Sequence, residues 1–127
     1  MGYVNHKSEE SSQDYLETIY ILSRRLPVVC SIDIATELGY SKPSVSVAMK
    51  NLRNRELITV SGEGYITLTE TGAKIAMQTF EKHTVLSNWL ISLGVDPAVA
   101  SRDACRMEHD ISEESFHAIK AHILERV

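Results

Sequence analysis

The run "CSIDIATELGYSKPSVSVAMKNLRNRELI", residues 30–58, leaves little freedom of architecture. Two helical patterns are separated there by the three residues Gly39-Tyr40-Ser41. The spacing predicts a first helix capped by Ser31, with Ile32, Ala35 and Leu38 facing inward and Gly39 as its left-handed stop. Ser41 is a natural cap for the second helix, and Pro43 is tolerated in its first turn, where an amide has no intrahelical acceptor. Val45, Met49 and Leu52 fall on one face and mark its buried side. Helices joined by so short a break pack as a helix-turn-helix. The next stretch, "LITVSGEGYITLTETG", alternates apolar and polar residues on both sides of Gly-Glu-Gly. That pattern is a short hairpin with a glycine-rich tip, the wing of a winged helix-turn-helix.

Elsewhere the chain reads as helix. Ser11 or Ser12 is the expected start of a helix running to about Arg25, with Tyr15, Ile19 and Leu22 on its apolar side and Pro27 beyond its end. A long helix is expected from Glu70 to about Leu93, with Ile75, Phe80, Leu86, Trp89, Leu90 and Leu93 buried and Gly94 as its stop. Asp96-Pro97 opens another helix. Ser112, followed by Glu113 and Glu114, caps a last one whose apolar stripe is Phe116, Ile119, Ile123 and Leu124. The fold class is mainly α, a winged helix-turn-helix over residues 1–72 followed by a helical domain over 73–127. Three helices this short cannot cover so much apolar surface alone, which implies a partner subunit.

Composition excludes several classes. The 127 residues are 43% hydrophobic, enough for a packed interior, and no run approaches the roughly 18–20 apolar residues of a membrane span. The opening "MGYVNHKSEESSQDYL" lacks the apolar core of a signal peptide, so a cytoplasmic protein is expected. Cys30 and Cys105 form no disulfide framework and are expected as free thiols, Cys30 with a structural role in the loop before the second helix. A net charge of −4 argues against a general polyanion binder, yet residues 41–60 carry Lys42, Lys50, Arg53 and Arg55 against Glu56 alone. Local sign is what a phosphate backbone feels across a Debye length of about 8–10 Å.

On the second helix of the motif, Lys42, Pro43, Ser44, Ser46, Val47, Lys50, Asn51 and Asn54 form the expected exposed set. Ser41, Lys42, Ser44 and Lys50 suit phosphate oxygens, which position a helix without reading sequence. Ser44 and Ser46 suit base edges, and Pro43 and Val47 suit thymine methyls. With no Arg or Gln at the tip, DNA shape is left to supply much of the specificity. Two packed helices with no nucleic-acid role are the plain alternative, opposed by the wing and by the local positive charge.

A second constellation lies in "DACRMEHD", residues 103–110. Cys105, Glu108 and His109 stand at i, i+3 and i+4 and share one helix face. Two readings fit: a surface helix with a mostly buried cysteine and a solvated Glu-His pair, or a divalent-metal site. Asp14 and Glu17, at i and i+3 on the first helix, suit its N-terminal dipole, and His83 alone on the long helix reads as surface.

The ordered segments "DYLETIYIL", "IATELGYSKPSVSVAMKNL", "LTETGAKIA", "FEKHTVLSNWL" and "ACRMEHDISEES" together resemble the iron- and manganese-responsive repressors of the diphtheria toxin repressor and manganese transport regulator type. The resemblance covers the chain from about Ser11 onward. It implies that Asp14, Cys105, Glu108 and His109 form a primary, activating metal site, and that Glu17 and His83 hold a neighbouring second ion. Cys105 matches the iron-type choice, whereas Asp14 with Glu17 matches the manganese-type choice, so the ligand set is a hybrid. The positions of the iron-type ancillary ligands are here Ser87 and Ser101, and the resemblance implies the short form without an SH3-like domain. Independently of the family, carboxylates, imidazoles and a thiolate match a borderline divalent transition ion rather than Mg²⁺ or Ca²⁺. Fe²⁺ or Mn²⁺ is expected, with a lean to iron from the thiolate, and Co²⁺, Ni²⁺ or Zn²⁺ would also occupy these donors.

The expected function is a metal-dependent transcriptional repressor, active on a palindromic DNA operator as a homodimer and controlling metal uptake genes. No membrane and no small organic ligand are expected as partners. Three rivals remain: a metal-independent winged-helix regulator answering to a small molecule, a metalloenzyme and a metal buffer. An enzyme would need an open coordination position and a substrate cleft. The sequence offers neither an additional general base nor a glycine-rich substrate loop. A buffer has no use for a wing.

Overall fold

A computed structural model of the protein describes residues 2–125, with side chains from Ser11 onward. Helix α1 (Gly2–Ser23) winds without a break, because neither proline nor glycine interrupts it after Gly2. Its start therefore lies well before Ser11 or Ser12, and neither serine is its cap. Ser12 is buried in mid-helix, where its Oγ accepts a 2.8 Å hydrogen bond from Arg55 Nη1. The helix also ends earlier than Arg25. Leu16, Ile19 and Leu22 are its buried apolar residues, and Tyr15 is half-buried beside them.

Helix α2 (Ser31–Leu38) is capped one residue earlier than expected. Cys30 holds the cap position, and its N–H donates to the Asp33 carboxylate at 2.8 Å. Ile34 and Ala35 are accordingly the buried residues, whereas Ile32 is 48% exposed. Gly39 takes the left-handed conformation, φ 69°, that ends the helix. Helix α3 (Lys42–Asn54) follows with Ser41 as N-cap, its Oγ accepting from the Ser44 N–H at 3.3 Å, and Pro43 in the first turn. Val45, Met49 and Leu52 point into the interior as the spacing requires.

Strands β1 (Ile58–Val60) and β2 (Ile66–Leu68) pair antiparallel with Ile58 opposite Leu68 and Val60 opposite Ile66. Gly64, φ 87°, turns the tip, and the Ile66 N–H donates to the Val29 carbonyl at 2.7 Å. This bond ties the hairpin to the segment that follows α1. Leu16, Ile19, Leu22, Ile34, Val45, Met49, Leu52 and Ile58 form one core together with Ile66.

Helix α4 (Glu70–Ser92) begins directly after the wing. The chain divides into two units, Met1–Met77 and Gln78–Val127. In the second, α4 continues, α5 (Pro97–Asp110) starts at an Asp96 cap that accepts from the Ala98 N–H at 3.1 Å, and α6 (Glu113–Glu125) follows. The Ser112 Oγ accepts from the Ser115 N–H at 3.1 Å, as a cap should. Leu86, Ala104 and Phe116 make a second core, flanked by half-buried Trp89, Met107 and Ile119. Lys120 pairs with Glu81 at 2.6 Å and Lys82 pairs with Glu113, so two ion pairs join α6 to α4. Leu93 and Leu124, both expected inside, are exposed. Gly94 has already turned the chain away from α4 after Leu93, and Leu124 lies in the last helical turn. Among the described residues, no helix is long and apolar enough to cross a membrane.

Two backbone positions near the wing are under tension. Glu56 adopts φ 60°, a conformation costing a non-glycine residue roughly 1–2 kcal/mol, and its carbonyl accepts from Thr69 Oγ1 at 2.8 Å. Gly72 packs so closely that a β-carbon there would overlap the Leu57 carbonyl oxygen. Gly72→Ala is therefore expected to destabilise the first unit by about 1–3 kcal/mol. Glu56→Gly is expected to stabilise it by about 0.5–1 kcal/mol. Urea unfolding followed by circular dichroism measures both, and the two changes should carry opposite signs.

Candidate metal centre and nucleic-acid interface

Ala100, Ala104 and Glu108 are the buried residues of α5, spaced at i, i+4 and i+8 along one row. Two small side chains let the helix pack closely, and the same row draws the third, a carboxylate, inside with them. Glu108 is 2% exposed. Its Oε2 lies 3.1 Å from His83 Nδ1, and its Oε1 lies 3.4 Å from His109 Nε2. The His109 side chain is itself only 2% exposed, while Cys105 is exposed. The burial order is the reverse of the plain surface-helix reading: the Glu-His pair is inside and the thiol is outside. One ligand atom each from Cys105, Glu108 and His109 fall within 4.8 Å of one another.

His83 projects from α4 toward this carboxylate and is held at both ring nitrogens. Nδ1 faces Glu108, and Nε2 lies 3.4 Å from Ser101 Oγ. When Glu108 is ionised, an imidazole N–H donating to it offsets part of the cost of burying a charge. The Nε2 contact is the longer of the two and the easier to exchange for an ion. Ser87, one turn after His83, is buried and offers a hydroxyl rather than a soft donor. Asp14 and Glu17 lie half-buried on α1 in the first unit, one turn apart, with the Asp14 carbonyl accepting from Thr18 Oγ1 at 2.8 Å.

Two imidazoles, a buried carboxylate and an adjacent thiol are a donor set for a borderline transition ion, and they fit no alkaline-earth cation. The buried carboxylate also gains most from a cation, because the low dielectric around it strengthens the attraction.

The first unit presents a different surface. Lys42, Pro43, Ser44, Ser46, Val47 and Lys50 are all exposed on α3, and Ser41, also exposed, hydrogen-bonds Ser44 through its hydroxyl at 2.8 Å. Asn51 and Asn54 complete the exposed face. Two contacts on this unit are not encoded in any local spacing. Arg55, at the C-cap of α3, reaches Ser12 on α1, and the Tyr15 ring meets Tyr40 edge-on at 6.0 Å. Burial, and then the neighbouring Tyr40, push the Tyr15 phenol above its ordinary value, so it stays neutral at physiological pH.

The fold and the donor set together define a class, the metal-responsive winged-helix regulators. Residues 7–65 match the model of the iron dependent repressor N-terminal DNA binding domain, and residues 69–125 match that of the iron dependent repressor metal binding and dimerisation domain. The chain is 38% identical over 111 residues to the transcriptional regulator MntR of Escherichia coli O157:H7, covering 87% of this chain and 72% of that protein. It is 30% identical over 106 residues to the iron-dependent repressor IdeR of Mycobacterium tuberculosis (strain ATCC 25618 / H37Rv), covering 83% of this chain and 46% of that one. The solved structure of the manganese regulator SloR superposes with a TM-score of 0.79 at 26% identity, over 88% of this chain and 53% of that chain. The chain thus spans about half the length of that solved structure. It belongs to the iron-dependent repressor family, whose members are transcription regulators rather than enzymes.

The His83–Glu108 contact generates a direct test. His83→Ala removes a hydrogen-bonding imidazole from a buried carboxylate and is expected to destabilise the second unit by about 1–3 kcal/mol in the presence of chelator. Adding Glu108→Gln should recover part of that loss, because a neutral amide costs less to bury. Denaturant titrations of the two variants decide it.

Proposed function

We propose that the protein is a cytoplasmic, metal-activated repressor that binds a palindromic operator as a homodimer and governs metal-uptake genes. Residues 1–72 serve DNA and residues 73–127 serve metal and self-association. Asp14, Cys105, Glu108 and His109 hold the primary ion, and Glu17 with His83 hold a second, the ions being Fe²⁺ or Mn²⁺. The observation that carries this reading is Glu108, a carboxylate buried between two imidazoles with a thiol one turn away. Family membership supports it, and so do relatives named for manganese and for iron.

The protein's own residues then do the following work. Without metal, sharing one site would set the like charges of Asp14, Glu17 and Glu108 against one another, a cost that a bound cation removes. When bound, a divalent cation supplies the positive charge that lets these carboxylates and the Cys105 thiolate share one site. Asp14 carries the consequence to DNA through α1. Ser12 binds Arg55 at the far end of α3, and Tyr15 packs on Tyr40 just before its start. Asp14 sits between these two anchors, so restraining it restrains the recognition helix. Ser41, Lys42, Ser44 and Lys50 place α3 against phosphates, and Pro43, Ser46 and Val47 face the bases. In the dimer, the two copies of α3 must stand one helical turn of DNA apart, about 34 Å. Metal activates when the DNA-competent arrangement binds it more tightly than any other.

The test is an anaerobic titration of Fe²⁺, Mn²⁺ and Zn²⁺, with and without chelator, into the full chain and duplexes selected from a randomised pool. Metal is expected to raise affinity about 5–150-fold, the usual range of allosteric coupling. Glu108→Ala and His109→Ala should abolish that gain while circular dichroism and sedimentation show a folded dimer. Metal-stimulated binding that persists unchanged in both variants refutes the mechanism.

A further inference from the structure

Val47 is 70% exposed, the largest exposure of any sizeable apolar side chain among the described residues. It stands in the middle of the outward face of α3, one turn after Pro43 and one turn before Asn51, with Lys50 and Ser44 beside it. The interior of the unit needs nothing from this position, because Val45, Met49 and Leu52 already supply the buried side of the helix. A β-branched residue is also a poor choice for an exposed helical site on propensity alone. Its virtue is stiffness. In a helix its side chain keeps essentially one rotamer, so its two methyls project in a fixed direction.

The neighbours narrow what such a probe can touch. Lys42 and Lys50 are exposed on the same helix, and Arg53 follows one turn from Lys50. Asn51 receives a 3.4 Å hydrogen bond from Arg55 Nη1, which leaves its amide oriented. This is an apolar pair, Pro43 and Val47, set inside a cationic and polar face that fits the major groove of duplex DNA. Among base edges in that groove, the C5-methyl of thymine is the apolar one.

We propose that Val47, backed by Pro43, reads the C5-methyl of one thymine in each operator half-site, and so determines specificity at that base pair through apolar contact rather than hydrogen bonds. This rests on the DNA-binding reading above and names a determinant of its sequence preference. The contact tells thymine from cytosine, which presents an amino group and no methyl there. It also tells thymine from uracil, which keeps every hydrogen-bonding group and lacks only the methyl.

The experiment uses the full chain loaded with Mn²⁺ and a duplex selected by it from a randomised pool. Each thymine of one half-site is replaced in turn by deoxyuridine, and affinities are measured for the wild type and for Val47→Ser. One thymine is expected at which uracil weakens wild-type binding about three- to tenfold, as loss of one buried methyl implies. At that same position, Val47→Ser should bind the thymine and uracil duplexes within twofold of each other. Serine at an exposed site leaves the helix intact, and an unchanged circular dichroism spectrum confirms it. If every uracil penalises wild type and variant equally, or none penalises the wild type, the proposal is overturned while metal-dependent binding still stands. If no sequence is enriched with metal, the DNA-binding reading itself falls, and this inference falls with it.

Discussion

A carboxylate removed from water, Glu108, is the one charged side chain buried among the described residues. Moving an isolated charge into a protein interior costs several kcal/mol even after relaxation. Glu108 is nonetheless inside, because the alanine row of α5 packs tightly and carries it there. His83 and His109 approach its two oxygens from α4 and from α5 itself. On the proposed reading, a cation would complete this arrangement. The cost of burial would thereby be converted into affinity, since a preformed, desolvated oxygen attracts a cation far more strongly than a hydrated one.

In the proposed mechanism, control of DNA depends on how firmly α1 is bound to α3. The two links, Ser12 with Arg55 and Tyr15 with Tyr40, grip opposite ends of α3 and flank Asp14 on α1. They differ in kind: one is a charge-assisted hydrogen bond, the other a contact between ring edges and faces. A neutral Tyr15 keeps the second insensitive to pH over the physiological range. Helix α3 is thus tied to α1 near both of its ends.

The motif from Gly39 to Leu52 was legible residue by residue, because capping serines, a left-handed glycine and an apolar i, i+4, i+7 pattern all agree there. The wing was legible for the same reason. Errors arose where a local signal was used for a distant purpose. Ser12 has the chemistry of a cap, yet its hydroxyl serves Arg55, 43 positions away in sequence. On α2, Ala35 and Leu38 lie on the inner side as their spacing indicates, but Ile34 takes the buried place expected of Ile32. At the candidate metal centre, helical spacing correctly put Cys105, Glu108 and His109 together but carried no information on which of them faces inward. The small residues at 100 and 104 held that information, and the contact between His83 and Ser101 had no local signature at all.

The wing ends in Gly62-Glu63-Gly64, with a single anionic side chain and no cation at its tip. Among the described residues, Lys42, Lys50 and Arg53 are the exposed cations within α3, and the remainder of the sequence is net acidic. On the proposed reading, each subunit would displace only a handful of condensed counterions from a duplex, which would make its grip comparatively indifferent to ionic strength. Non-specific sites, which hold proteins by that electrostatic component alone, would retain it poorly. Operator occupancy would then follow the abundance of the activating metal and little else about the salt around it.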